Sequence, residues 1–206
     1  MAVVSNGTTL IDNGILDAAI PTGKMTLIKT LTASSSATLS FIDGTSDVVL
    51  DDTYDEYVFK FYDIHPATDG AIFQFQGSTD GGSSYGVTIT STYFRARHNE
   101  SSSTAQVGYD TSQDLAQSTN YQILAYNTEA DNDQCCSGTL QIFNPSSTTF
   151  VKHFISRLNN YGSSDYTRDE NAAGYFNTTT TIDAIQFKFA SGNIDSGVIK
   201  LYGIGG

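Results

Sequence analysis

The stretch SDVVLDDTYDEY places Asp47, Asp51, Asp52, Asp55 and Glu56 within ten residues. Clustered carboxylates are the oxygen ligands that Ca²⁺ takes, so these five are the candidate metal ligands of the chain. The Asp-x-Asp-x-Asp-Gly spacing with a glutamate at the twelfth position is missing. The ordinary reading of such a run is a solvated acidic loop before a strand, its repulsion relieved by Lys60, Arg95 or a neighbouring subunit. A second acidic turn, STDGGSS with Asp80, has the composition of a plain loop.

Catalysis needs a nucleophile, an acid or base, or a metal, held in mutual reach. The chain has three histidines, His65, His98 and His153. His65 precedes Pro66 at a strand end, His98 opens a polar stretch, and His153 lies mid-strand between Val151 and Ile155. An in-facing strand histidine is more often a hydrogen-bonded core or interface residue than a base. No Gly-x-Ser-x-Gly elbow, His-Glu-x-x-His, P-loop or dinucleotide fingerprint occurs, and the serines have no assignable partner. The reading is non-enzymatic and cofactor-free, with Ca²⁺ the one ion the acidic cluster could take.

Cys135 and Cys136 are adjacent, a spacing that rarely closes a disulfide, and they read as free, partly buried thiols. Sugar-binding modules stack rings on exposed aromatics, and the chain has no Trp. Tyr109, Tyr161 and Tyr175 lie in loop-like context, as Tyr54 does, and are the candidate contacts for a glycan or a protein partner.

These residues must be positioned by strands. Twelve Phe, twelve Tyr and many β-branched residues suit a pleated surface, while few stretches repeat at the helical period. Residues 1–24 lack a sustained period and read as a short irregular N-terminal arm. From Met25 the chain alternates: Leu39 and Phe41 share a face, as do Tyr57, Phe59 and Phe61. Ala71, Phe73 and Phe75 read inward, with Gln74 and Gln76 outward. The stretch from His98 to Asn120 reads as a long loop holding one short strand at AQVGY. NNYGSSDYTRDENAAGYFNTTTT reads as a loop with a short strand at Gly174–Phe176. Ile182 to Ile204 reads as a closing hairpin central to the sheet, with Ile185, Phe187 and Phe189 on one face and Ile199 and Leu201 on one face of the return strand. About nine to eleven short strands follow, and the long connections favour a jelly-roll-like antiparallel β-sandwich over residues 25–206.

The formal net charge is −12, which disfavours nucleic-acid phosphate and anionic membrane surfaces as partners. No window of ~18 apolar residues spans a bilayer, and the first residues lack a basic segment followed by an apolar core.

TGKMTLIKTLTASSSATLSFIDGTSDVVLDDTYDEYVFKFYDIHPATDGAIFQFQGSTDGGSSY, NPSSTTFVKHF and AGYFNTTTTIDAIQFKFASGNIDSGVIKLYGI together resemble a group of virion structural proteins in tailed phages of marine bacteria. The resemblance covers most of Thr22 to Ile204 and implies a building block rather than a reaction. It implies assembly in the host bacterial cytoplasm, incorporation into the virion, and contact with major capsid or tail proteins. A compact module with a short arm fits a capsid decoration or knob-like protein, a homo-oligomer with a trimer favoured. The alternative is a tail, baseplate or fibre component that recognises host-surface glycan. A carbohydrate-active enzyme built on the acidic cluster ranks last.

Overall fold

The computed structural model describes residues 3–5, 8–12, 15–16 and 25–205. Within the expected arm, three short antiparallel strands are described: β1 (Val3–Ser5), β2 (Thr8–Asp12) and β3 (Ile15–Leu16). The remainder of residues 1–24 lies outside the described residues.

Six strands follow in chain order: β4 (Thr26–Thr32), β5 (Leu39–Ile42), β6 (Glu56–Pro66), β7 (Ala71–Ser78), β8 (Ile89–Asn99) and β9 (Ala105–Tyr109). Then come β10 (Gln122–Thr128), β11 (Cys136–Phe143), β12 (Lys152–Gly162), β13 (Tyr166–Phe176), β14 (Ala184–Phe189) and β15 (Ile194–Ile204). These twelve form one antiparallel sheet, nearly closed into a barrel, in the order β4-β15-β6-β11-β12-β10-β7-β14-β5. From β12 a branch runs outward through β13 and β8 to β9. The seam between β10 and β12 is a single residue pair, Thr128 with Gly162.

Alternation along the strands builds the core. Phe59 and Phe61 of β6, Phe73 and Phe75 of β7 and Phe41 of β5 all point inward and are buried. Phe187 of β14 sits among them, its ring centre 5.1 Å from Phe59, 5.2 Å from Phe61 and 6.2 Å from Phe41. Most of these contacts are edge-to-face, the arrangement the aromatic quadrupole favours. Further along, Phe75 meets Phe154 of β12 edge-on at 5.2 Å and Phe176 of β13 at 6.0 Å. Burying each ring contributes about 1.5–3 kcal/mol.

The all-β, antiparallel expectation holds, and several local expectations do not. Ile182–Ile204 is not a hairpin. β14 pairs with β5 and β7, β15 pairs with β4 and β6, and the two share no ladder. Residues 190–193 carry the chain from one run of strands to the facing one, so both strands are central but in different places. TRDENAAGYF is not a loop: β13 pairs with β12 along its whole length, from Tyr166–Gly162 to Phe176–Lys152. Its inward positions carry Arg168 and Glu170, which hid the alternation. Gln76, expected outward, is fully buried. The loop before β10 covers it, and its amide donates to the carbonyls of Thr119 and Asn120 at 3.1 and 2.9 Å. His153 faces out of β12, with its ring 6.0 Å from that of Tyr175.

Candidate functional site

The branch β12-β13-β8-β9 places polar side chains where the rest of the sheet places phenylalanine. Strand alternation sends Tyr93, Arg95 and Arg97 of β8 to the inner face, as it sends Arg168 and Glu170 of β13. Register sets them in two rows. Leu158, Glu170, Arg95 and Gly108 lie side by side across four strands, and Asn160, Arg168, Arg97 and Gln106 form the next row. Three of the chain's four arginines are therefore gathered in one place.

Glu170 is fully buried, and its Oε2 accepts the Tyr126 backbone N–H at 2.7 Å. Burial pushes its carboxyl up to about 7, against the opposing pull of that N–H and of Arg168. Arg168, 4% exposed, donates through Nη1 to the carbonyls of Asn127 at 2.9 Å and Tyr126 at 3.3 Å. Its guanidinium occupies the space left by the missing side chain of Gly162. Asn160 donates to the Tyr126 carbonyl at 2.9 Å. Seven buried side-chain polar atoms among the described residues have no hydrogen-bond partner. Five of them belong to this cluster: Arg95 Nη1, Asn160 Oδ1, Arg168 Nε, and Tyr93 Oη and Glu170 Oε1, which interact with each other without closing a hydrogen bond of full geometry.

Toward solvent the cluster opens into a groove of about 530 Å³, lined by Arg95, Arg97 and residues 105–110. Arg95 Nη2 pairs with Asp110 at 2.9 Å, and its guanidinium lies 5.3 Å from the centre of the Tyr126 ring. Arg97 donates twice to the Gln106 amide oxygen, at 3.0 and 2.5 Å. It lies 5.2 Å from the Tyr166 ring and makes no ion pair among the described residues. Burial raises the Asp110 carboxyl, but Ser112 and the two arginines pull it back below the usual range. The result is a cationic, donor-rich recess in a chain of net charge −12. Glu170 lies beneath it with no exposure, so no substrate touches it. It sets the electrostatics of the floor.

The acidic cluster is dispersed over local tasks. Asp47 sits in a turn at φ 65°. Asp51 Oδ1 accepts the Thr53 N–H at 2.8 Å, and the Thr53 hydroxyl first and that N–H second hold its carboxyl below the usual range. Asp52 and Asp55 are exposed, and Glu56 Oε1 accepts the Gln141 amide at 3.0 Å. Among the described residues no three His, Cys, Asp or Glu side chains gather as a metal-holding group. Neither proposed neutraliser is engaged with the cluster: Lys60 lies 5.5 Å from the Tyr202 ring, and Arg95 pairs with Asp110. Asp80 closes its own turn through Ser78 and Ser84, and those bonds, Ser84 first, pull its carboxyl down to about 2.

The three candidate tyrosines share the outer face of the branch but are spread along it. Tyr161 pairs in register with Thr167, Tyr109 sits across from Phe94 and so level with Asn171, and Tyr175 is level with Thr90. Each step is four residues along the strand, about 13 Å, too far for one small ligand. Tyr161 donates to Asp165 at 3.0 Å and is pushed up to about 12 by that bond. Tyr109, 54% exposed, donates to Asp114 and reaches the rim of the groove. Tyr54 packs edge-on against Tyr57 at 5.8 Å. Both cysteines are free, Cys136 buried and Cys135 half-buried, and burial raises both thiols. His65 Nδ1 lies 2.6 Å from the Gln134 carbonyl, and His98 is exposed beside Ser102.

The arginine groove was missed from the sequence. Its signal was present in FRAR and TRDE, where charges two apart must share one face of a strand. No family model matches the chain, and neither a curated protein nor a solved structure matches it.

Proposed function

We propose that the chain is a non-enzymatic structural protein of a phage particle, built as a jelly roll and displayed as a knob-like decoration on the capsid surface. The strand order supports this. Two four-stranded runs, β4-β15-β6-β11 and β5-β14-β7-β10, face each other across the phenylalanine core. Strands consecutive in the chain alternate between them, β4 to β5, β6 to β7, β10 to β11 and β14 to β15. That order supports a jelly roll, an architecture found in viral capsid domains. The pairs β8–β9 and β12–β13 are insertions that widen one run. In this reading the chain is made in the host bacterial cytoplasm, sits against major capsid or tail proteins, and forms a small ring, a trimer favoured. Locating the protein by cryo-electron microscopy of intact particles tests it: density on the capsid exterior is the expected result, and absence from the particle overturns it. Light scattering on the purified protein is expected to give an oligomer; a strict monomer at high concentration counts against decoration.

A second reading is favoured by one observation, the open groove beside Arg95 and Arg97. Here the chain is a tail, baseplate or fibre component whose jelly roll contacts host-surface glycan. Density on the tail in the same images would select it.

A further inference from the structure

We infer that the groove over the inner face of β8 and β9 binds a carboxylate-bearing saccharide, with Arg95 and Arg97 holding the carboxylate and Asp110 and Gln106 taking the hydroxyls. The inference deepens the glycan-contact reading above and rests on it. Arginine recognises carboxylates through its planar fork of donors, and two arginines on one strand face can grip one anion from one side. Among the described residues Arg97 makes no ion pair and its side-chain hydrogen bonds go to a neutral amide, while Arg95 keeps 20% of its side chain exposed beside Asp110. Glu170 does not neutralise this excess fully near neutral pH, because burial keeps part of it protonated.

Asp110 stands on the wall as the partner of Arg95 and Ser112, a carboxylate that a bare anion site would not carry. Acceptors beside donors are what a ring of hydroxyls requires. Size agrees: about 530 Å³ exceeds what one inorganic anion fills and falls in the range of small-ligand sites. The floor is open at Gly108, where an added Cβ would meet nothing within 4 Å.

Calorimetric titration of the full chain tests the assignment, with tetragalacturonate, its methyl ester, 3′-sialyllactose, lactose and inorganic phosphate as probes. At least one of the two acidic saccharides is expected to bind, with its neutral counterpart at least tenfold weaker. Arg97→Gln is expected to lower that affinity at least tenfold, while Arg157→Gln, on the outer face, leaves it unchanged. Should Arg97→Gln not fold, Gly108→Val occupies the open floor and is expected to abolish binding. The assignment is overturned if neither acid binds, if the neutral forms bind equally well, or if the groove variants bind like wild type. Displacement by equimolar phosphate would mark a plain anion site and overturn the saccharide. Particle localisation reads out separately, so the wider functional reading can fail or stand without this one.

Discussion

Two halves of one inner surface obey the same geometry with opposite chemistry. Between β6, β7, β5 and β14 the inward positions carry Phe59, Phe61, Phe73, Phe41 and Phe187, and the buried Tyr57 hydroxyl on the same face finds the Asp51 carbonyl at 3.1 Å. Along β8 and β13 the equivalent positions carry Arg95, Arg97, Arg168 and Glu170, and several buried atoms go unpartnered. Apolar packing is non-directional and close to additive in area, whereas buried charge is stable only when each group finds its complement. The aromatic half therefore holds the fold, and the charged half is kept at a cost in stability.

The strongest way to break this division is to remove the strands that the aromatic half shares. A chain cut after Thr181 loses β14 and β15, each flanked on both sides, and is expected to show no cooperative unfolding transition by circular dichroism. Phe187→Ala empties the centre of the aromatic cluster and is expected to cost about 3–5 kcal/mol in urea unfolding. No position in the charged half should cost more on truncation to alanine.

Glu170 sharpens the contrast through pH. Its carboxyl titrates near 4.5 when unfolded and at about 7 in the fold, so the folded state holds the proton more tightly. Its contribution is full below about pH 4.5, is lost as pH rises to about 7, and is flat above that. At ~1.4 kcal/mol per pH unit the loss is about 3 kcal/mol. Urea midpoints measured across that window are expected to fall with pH in wild type and to fall less in Glu170→Gln. An equal slope in both would remove Glu170 from the account. Gly162→Ala puts a methyl where the Arg168 guanidinium lies and is expected to destabilise by about 1–3 kcal/mol through overpacking, read in the same assay. Smallest of all is Arg157→Ala. Its pair with Asp169 spans 2.8 Å, but the Arg157 side chain is 71% exposed, and no measurable change in the urea midpoint is expected.

How much was readable in advance follows the same division. Strands with aromatic alternation, β5, β6, β7, β14 and β15, announce themselves because the apolar period is the signal being read. β13 did not, because Arg168 and Glu170 fill its inward positions and Ala172 and Gly174 are small. The supposed closing hairpin failed for a different reason: nearness in sequence does not reveal that residues 190–193 cross from one run of strands to the other. Gln76 was misplaced because alternation assigns a face but cannot see a loop that later covers it. Of the candidate site residues, the carboxylates from Asp47 to Glu56 and the tyrosines were chosen by type, and the structure scatters them. The residues it does gather, Arg95, Arg97, Arg168 and Glu170, are joined by register between strands that are far apart in sequence, which no local pattern encodes.

The positions of β14 and β15 also impose an order in time. β5 and β7 share no ladder, nor do β4 and β6; each pair is bridged by a strand synthesised more than a hundred residues later. As the chain emerges from a ribosome, its early strands have edges but no neighbours, and their phenylalanines have no closed core to enter. Such a topology defers folding until both bridging strands are out, which favours slow, late and nearly simultaneous closure. Until then its exposed strand edges are what a chaperone or a nearby sister chain would meet.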